Sequence, residues 1–422
     1  MRSLGSPGPM EQMFSNQIKT GVFVLEGLNA VATTYYLYYL YFFTKEQFGF
    51  GARENLLLAA TLGFVYIFAA MYGGKYAQRK GYFVALKIGF ATMGGAITAA
   101  GALYLFGGNL LGRAGVELGL HILLATIATI GMCFTWPTMQ AIISEKEPTH
   151  RLRSLIGIYN LTWSGAGAAA YFTGGMMIER LGLQSMFFVP AAIHFLQLGL
   201  TSTLEKKSQC ATASIRGSEV REAVPASVVH AKLSRKTYLR MAWLANPFAY
   251  LAINTLIPVI PTIAKQLNFS PAFAGVFCSI WFFVRALSFQ LLRWCPNWHY
   301  QFRWLATAYA TMVLSFAVLL LAKTIWMLLL AQVGFGLAIG LIYYSSIFYS
   351  MDIGEEKGEN GGFHEAMIGL GSFGGPVIGA AALYFFADSG QSGTWAVTIL
   401  LLIGLSALLW MRFRKVSSLA TA

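Results

Sequence analysis

Long apolar runs separated by short polar segments dominate the chain, and their lengths predict its elements. A helix needs roughly 20 apolar residues to cross the hydrocarbon core of a bilayer. Runs of that length fall near residues 20–43, 55–74, 83–106, 116–141, 154–178 and 183–204. A second set falls near 239–264, 272–293, 304–322, 325–349, 364–387 and 393–411. Between them lies the one long polar stretch, Glu205 to Tyr238, carrying Lys206, Lys207, Arg216, Arg221, Lys232, Arg235 and Lys236. The pattern predicts an all-α integral membrane protein with twelve transmembrane helices. It divides into a six-helix bundle over 1–204, a cytoplasmic linker over 205–238 and a second six-helix bundle over 239–422.

Composition points the same way. Only 11% of the 422 residues are charged and 56% are hydrophobic, whereas a soluble domain carries roughly 25% charged residues because its surface faces water. The net charge of +13 raises the question of nucleic acid. The basic residues, however, sit in short segments between apolar runs and form no stripe with interleaved aromatics, so nucleic-acid binding is not expected. Counted with the N-terminus inside, 22 Lys and Arg fall on the cytoplasmic side. Six fall outside (Lys45, Arg53, Arg113, Arg180, Lys265 and Lys323), while Lys87 and Arg285 lie within spans. That asymmetry predicts a multi-pass protein of the plasma (inner) membrane, with an even number of spans and both termini cytoplasmic.

Cys133, Cys210, Cys278 and Cys295 are scattered, with no CxxC pair, so neither a disulfide framework nor a metal site is expected. Residues 1–16 are polar, and the run that follows is too long for the core of a cleaved signal peptide. No cofactor is expected. The implied partners are the lipid bilayer and a small-molecule substrate, with protons as a coupling ion and the chain acting as a monomer.

Polar side chains inside a bilayer turn toward the bundle interior or a water-filled path. Span one carries Glu26, Asn29, Thr33 and Tyr36 three or four residues apart, hence on one helix face. Span four repeats the rhythm with Thr126, Thr129, Cys133, Trp136 and Gln140. Span seven offers Asn246, Tyr250 and Asn254 among Pro247, Pro258 and Pro261, which are expected to bend it. Span ten offers Gln332, Tyr343, Ser346 and Ser350. A single stripe reads equally well as hydrogen-bond glue between helices; four together read as the lining of a substrate path.

Two charges, Glu26 and Arg285, fall at similar depth, about 10 Å from the inner surface at 1.5 Å per residue. A lone charge there costs several kcal/mol, so the two are expected to approach one another across the halves. The pair reads either as a static bridge or as a switch, in which Glu26 exchanges a proton and Arg285 holds an anionic substrate or the freed carboxylate. Burial favours a neutral carboxyl group and a nearby arginine a charged one. His364 and Glu365 are expected to take a capping or interface role at the inner end of span eleven, His194 to satisfy a local hydrogen bond, His121 to be interfacial and Lys87 to snorkel. Of the run Tyr35, Tyr36, Tyr38, Tyr39 and Tyr41, only Tyr36 follows the polar stripe; the rest read as an aromatic belt at the membrane surface.

The halves share a weak internal similarity: small residues recur in span five from Gly157 to Gly165, Gly167 and Ala170, and in span eleven from Gly362 through Gly369, Gly371 and Gly375. Such spacing lets helix backbones approach closely in lipid. After span two the chain reads Gly74-Lys-Tyr-Ala-Gln78-Arg79-Lys80-Gly81-Tyr82. With the layout and the basic linker, this segment resembles the G-x-x-x-D-R-x-G-R-K signature of the major facilitator superfamily over essentially the whole chain. Gly74, Arg79 and Gly81 match; Gln78 stands in place of the aspartate and Tyr82 in place of the following basic residue. The resemblance implies that this loop helps close a cytoplasmic gate, with the ionic part of the latch weakened by Gln78. It also implies that spans one, four, seven and ten line a central cavity. A second family pattern, G-x-x-x-G-P-x-x-G-G, marks exchangers when it lies in span five; here its match, Gly371 to Ala380 with Pro376, lies in span eleven and indicates a closely packed, flexing helix.

These features imply a secondary transporter moving a small solute by alternating access, driven by a proton or solute gradient. No G-x-x-x-x-G-K-[ST] loop for nucleotide is present. Two other classes stay open: a non-transporting receptor or assembly factor on the same scaffold, and a polytopic membrane enzyme. The enzyme would need a clustered constellation; His364-Glu365, for instance, is followed four residues after His364 by Ile368 rather than a second histidine.

Overall fold

The computed structural model describes residues 9–111, 114–145, 147–215, 235–266, 268–321, 324–354, 356–389 and 391–420. Much of the linker, with Arg216, Arg221 and Lys232, lies outside the described residues, as do Arg113 and Lys323. The described chain is helical, as the apolar runs require. Its elements are α1 (Pro9–Phe48), α2 (Ala52–Lys80), α3 (Tyr82–Leu111), α4 (Ala114–Met132), α5 (Trp136–Ser144), α6 (Thr149–Leu181) and α7 (Ser185–Ile215). They continue as α8 (Arg235–Gln266), α9 (Pro271–Cys278), α10 (Ile280–Trp294), α11 (Phe302–Leu321), α12 (Ile325–Ile353), α13 (Lys357–Phe385) and α14 (Ser392–Ala420).

Fourteen helices make twelve spans because α4 with α5, and α9 with α10, each cross as one interrupted unit. Ten of the twelve are long and apolar enough to cross a membrane by length and composition. The other two, α1 and α6, have ample length, at 40 and 33 residues. Their sequences are diluted by Glu26, Asn29 and tyrosines in α1, and by Tyr159, Asn160, Ser164 and glycines in α6. The α4–α5 break follows from Pro137, which has no N–H to offer the preceding turn. Its neighbour Thr135 turns its hydroxyl back to the Met132 carbonyl at 2.9 Å.

Helix bounds extend the helices into the linker and correct one expectation. The ends of the expected linker are helical, since α7 runs on to Ile215 and α8 begins at Arg235. The eleventh span begins at Lys357 rather than near 364, so His364 and Glu365 sit two turns inside it and are buried. They do not cap its end.

Two long seams join the halves. Along one, α2 lies against α13; along the other, α6 lies against α9 and α10. The first seam is backbone on backbone. A Cβ placed on Gly74 would come within 2.5 Å of the Gly358 carbonyl, and one on Gly362 within 2.8 Å of the Ala70 carbonyl. One on Gly369 would come within 2.8 Å of the Ile67 nitrogen. Between α2 and α3, Gly81 takes φ of 105°, a left-handed conformation that favours glycine, while its N–H still reaches the Ala77 carbonyl at 3.0 Å. Below, the linker face is the side bearing the end of α7 and the start of α8; the far face is the other.

Candidate substrate and coupling site

Where the seams meet the inner helices, buried polar groups gather. Glu365 of α13, 2% exposed, is their hub. The Tyr66 hydroxyl of α2 donates to Glu365 Oε2 at 2.6 Å, and Gln140 of α5 donates from Nε2 to Oε1 at 2.5 Å. Next to Glu365, His364 shares a 2.9 Å hydrogen bond through Nδ1 with the Ser346 hydroxyl of α12.

Glu26 of α1 is fully buried, and neither carboxyl oxygen makes a hydrogen bond of good geometry. Tyr159 of α6 and Trp136 of α5 are the polar side chains facing it, and Glu365 is close enough to couple to it electrostatically. One turn on, Asn29 Nδ2 reaches the Thr135 hydroxyl at 3.4 Å, leaving Oδ1 unused. Asn246, Asn160 Nδ2, Gln140 Oε1 and His364 Nε2 are likewise buried without partners. Unsatisfied buried polar atoms are rare in folded proteins, because each costs about 1–3 kcal/mol. A set of them on α1, α5, α6, α8 and α13 marks hydrogen-bonding capacity held in reserve.

Arg285 of α10 is 1% exposed. Its guanidinium lies 3.9 Å from the Phe282 ring centroid, 4.4 Å from Trp163 and 4.9 Å from Trp281, and Nε donates to the Ser164 hydroxyl at 3.3 Å. Desolvated cation–π contacts contribute about 2 kcal/mol each, which offsets part of the several kcal/mol needed to bury an ion.

The expected Glu26–Arg285 pair does not form: no ion pair among the described residues joins them. Arg285 instead meets α1 at Tyr38, which is within its hydrogen-bonding reach. Tyr38 is twelve residues beyond Glu26, or about 18 Å along the helix at 1.5 Å per residue. Tyr343 of α12 links the two regions. It lies near Glu26, Glu365 and Arg285, and its ring lies 5.2 Å from Trp163, 5.1 Å from His364 and 6.1 Å from Tyr250.

The remaining stripe residues separate into two groups. Thr33 turns its hydroxyl back to the Asn29 carbonyl at 2.7 Å, and Asn254 turns its amide back to the Tyr250 carbonyl at 3.0 Å. Tyr36 packs on Phe187 of α7 at 6.2 Å rather than facing the Arg285 region. The tyrosines of span one are no surface belt: Tyr35, Tyr36, Tyr39 and Tyr41 are all buried, and Tyr38 approaches Arg285. His194 makes its local bond, to Gln197 at 2.8 Å. His121 is buried against Phe43 at 4.9 Å rather than interfacial, and Lys87 pairs with Glu205 at 2.9 Å.

At the linker face, Gly74 and Gln78 meet the start of α13, while Arg79 is exposed and Gly81 makes the turn into α3. Gln78 Oε1 accepts the Gly358 N–H at 2.9 Å, so an amide oxygen makes the contact at that helix N-terminus without a charge. Three more contacts cross between the halves there. Tyr344 donates to the Arg153 carbonyl at 2.8 Å, Arg293 Nη2 to Ser154 at 3.2 Å, and Thr149 to Asp352 at 2.8 Å. Asp352 also receives Arg235 and the Tyr300 hydroxyl. Burial, and then the Asp352 carboxylate, push the Tyr300 pKa up, which keeps that hydroxyl protonated as a donor. At the far face, Glu179 of α6 accepts the Ala272 N–H of α9 at 3.0 Å.

The chain matches the sequence profile of the Major Facilitator Superfamily over residues 4–171 and over 92–376. Its shape is similar to that of the human organic anion transporter MFSD10, with a TM-score of 0.68 and 14% identity, covering 93% of this chain and 99% of that one. It is similar to the nucleoside transporter NupG (0.65, 13%, 93% and 99%) and to the proton:xylose symporter XylE (0.67, 13%, 94% and 96%). At such identities the likeness is one of fold. No curated protein matches the chain by sequence.

Proposed function

The chain belongs to the major facilitator superfamily, and from that premise we propose that it carries a small solute across the membrane by alternating access, with Glu26 and Glu365 as the proton-coupling groups. The observation that carries this reading is the pair of buried carboxyl groups at the junction of both seams, amid polar atoms without partners. A carboxyl group in that position can take up or release a proton, and each change alters how strongly the halves hold together. Glu365 is the sharper case, because its partners Tyr66 and Gln140 belong to the opposite half. The distribution of Lys and Arg supports a cytoplasmic linker face and an inner-membrane location, and the chain is read as a monomer.

The test is flux in proteoliposomes under an imposed proton gradient, against a panel of sugars, nucleosides, organic acids and amino acids. Gradient-driven flux of at least one solute is expected, with Glu26→Gln losing the gradient dependence while retaining exchange. Equal gradient dependence in the variant and the parent would remove Glu26 from coupling and leave the carrier. Absence of flux for every solute would turn the reading toward a receptor on this scaffold.

A further inference from the structure

Among the described residues, one lysine and one arginine are buried, Lys19 and Arg285. Lys19 is paired with Glu147. Arg285 has no acidic partner, and its Nη2 has no hydrogen-bond acceptor. An acid can become neutral by taking a proton, but an arginine in a protein keeps its charge. Arg285 is therefore a permanent positive charge in the core.

The surroundings of this charge are selective. Phe282, Trp163 and Trp281 crowd the guanidinium, Ser164 takes Nε, and the hydroxyls of Tyr38, Tyr250 and Tyr343 lie close enough to act on it electrostatically. Nη2 is a free donor for an anionic oxygen, the rings wall the guanidinium, and the nearby phenols have hydroxyls that can donate as well. One guanidinium neutralises one negative charge, whereas phosphate esters are normally held by several Lys or Arg. The rings favour an apolar, planar body over a heavily hydroxylated one.

We infer that Arg285, with its aromatic walls and the phenols of Tyr38, Tyr250 and Tyr343, forms a binding site for small organic monocarboxylates that carry an apolar or aromatic body. This rests on the carrier reading above for its purpose but not for its test, since binding is measured without flux. When such an anion binds, the positive charge in the core is balanced by the cargo itself. Glu26, about 18 Å farther along α1 than the Tyr38 contact, is then left free for proton exchange rather than consumed in an ion pair.

The experiment uses purified full-length protein and matched probes: acetate, benzoate and 2-naphthoate, their uncharged amides, the dianion phthalate, and inorganic phosphate. Thermal stability and tryptophan fluorescence are read together, because Trp163 and Trp281 both touch the guanidinium. Benzoate or 2-naphthoate is expected to raise Tm and change the fluorescence in a saturable way. Their amides should bind at least tenfold more weakly, acetate more weakly than benzoate, and phosphate and phthalate more weakly still. Arg285→Gln should abolish the benzoate response, and Arg285→Lys should weaken it, since a lysine keeps the charge without the planar fork. The matched acid and amide in the parent protein decide the matter even if neither variant folds. No response to any carboxylate, an equal response to amide and acid, or a stronger response to phosphate or phthalate each overturns the assignment. Gradient-driven, Glu26-dependent flux of an uncharged solute alongside such a failure would leave the carrier reading intact. Carboxylate binding without flux of any solute would do the reverse.

Discussion

At the scale of single residues, Glu365 shows what burial does to a hydrogen-bonded acid. It is the only acceptor the structure gives the Tyr66 hydroxyl and the Gln140 amide. Removing it strands two buried donors at about 1–3 kcal/mol each. Glu365→Ala is therefore expected to lower Tm by several degrees in detergent, with Glu365→Gln, which keeps an acceptor oxygen, losing clearly less. Equal Tm values for the two variants would show that Tyr66 and Gln140 find other partners. The polar spacing in the sequence found Glu26, Asn29, Gln140, Tyr343 and Ser346, and its charge within an apolar span found Arg285; all are buried. It missed Glu365, because the apolar run of span eleven starts later than its helix and so placed the residue at the membrane surface. It also missed Tyr159 and Trp163, since span five was read for its small residues only. Tyr38 was hidden in a run of tyrosines, where helical spacing does not single out the one that meets Arg285.

Among the elements, the glycine-rich helices carry the most specific geometry. Gly362 faces the Ala70 carbonyl with no room for a side chain, whereas nothing lies within 4 Å of the place a Cβ would take on Gly95 of α3. Gly362→Val is expected to push α2 and α13 apart, with lowered Tm and loss of flux, while Gly95→Ala leaves both measurements unchanged. A Gly362→Val protein as stable and active as the parent would mean the seam is looser than its backbone contacts imply. Small-residue spacing in span eleven correctly announced a close approach. It did not reveal the partners: Gly369 meets α2 in the other half, while Gly371 and Gly375 meet Pro247 and Leu251 of α8. Spacing fixes which face of a helix is smooth, and only the packed molecule decides what lies on it. The breaks in spans four and eight were equally silent, for an apolar run reads through one unpaired turn.

For the molecule as a whole, twelve crossings were legible because a bilayer demands long apolar runs and forbids open backbone. The relation between the halves was not, since alternating access populates more than one arrangement of a single sequence. Contacts join the halves at both faces here, Thr149 to Asp352 on the linker face and Glu179 to Ala272 on the far face. If the halves rock about the site, pinning either face stops transport. Paired Thr149→Cys and Asp352→Cys, or Glu179→Cys and Ala272→Cys, in a background lacking the native cysteines, should each lose flux on oxidation and regain it on reduction. Undiminished flux in the oxidised state of either pair would rule out rocking at that face.

The contacts that latch the halves have one further property. Every described ion pair of Lys or Arg lies within a half: Lys19–Glu147, Arg53–Glu54, Lys87–Glu205, Arg151–Glu147 and Arg235–Asp352. Across the linker-face gate the bonds are amide to amide, hydroxyl to carbonyl, guanidinium to hydroxyl and hydroxyl to carboxylate. Counter-ions at 0.15 M shield charges beyond about 8 Å and erode ion pairs at a surface; they have far less to act on in a latch of this kind. Salt is therefore expected to act on that gate through the charged groups it does contain, Arg293 and the Asp352–Arg235 pair, rather than through an ion pair between the halves.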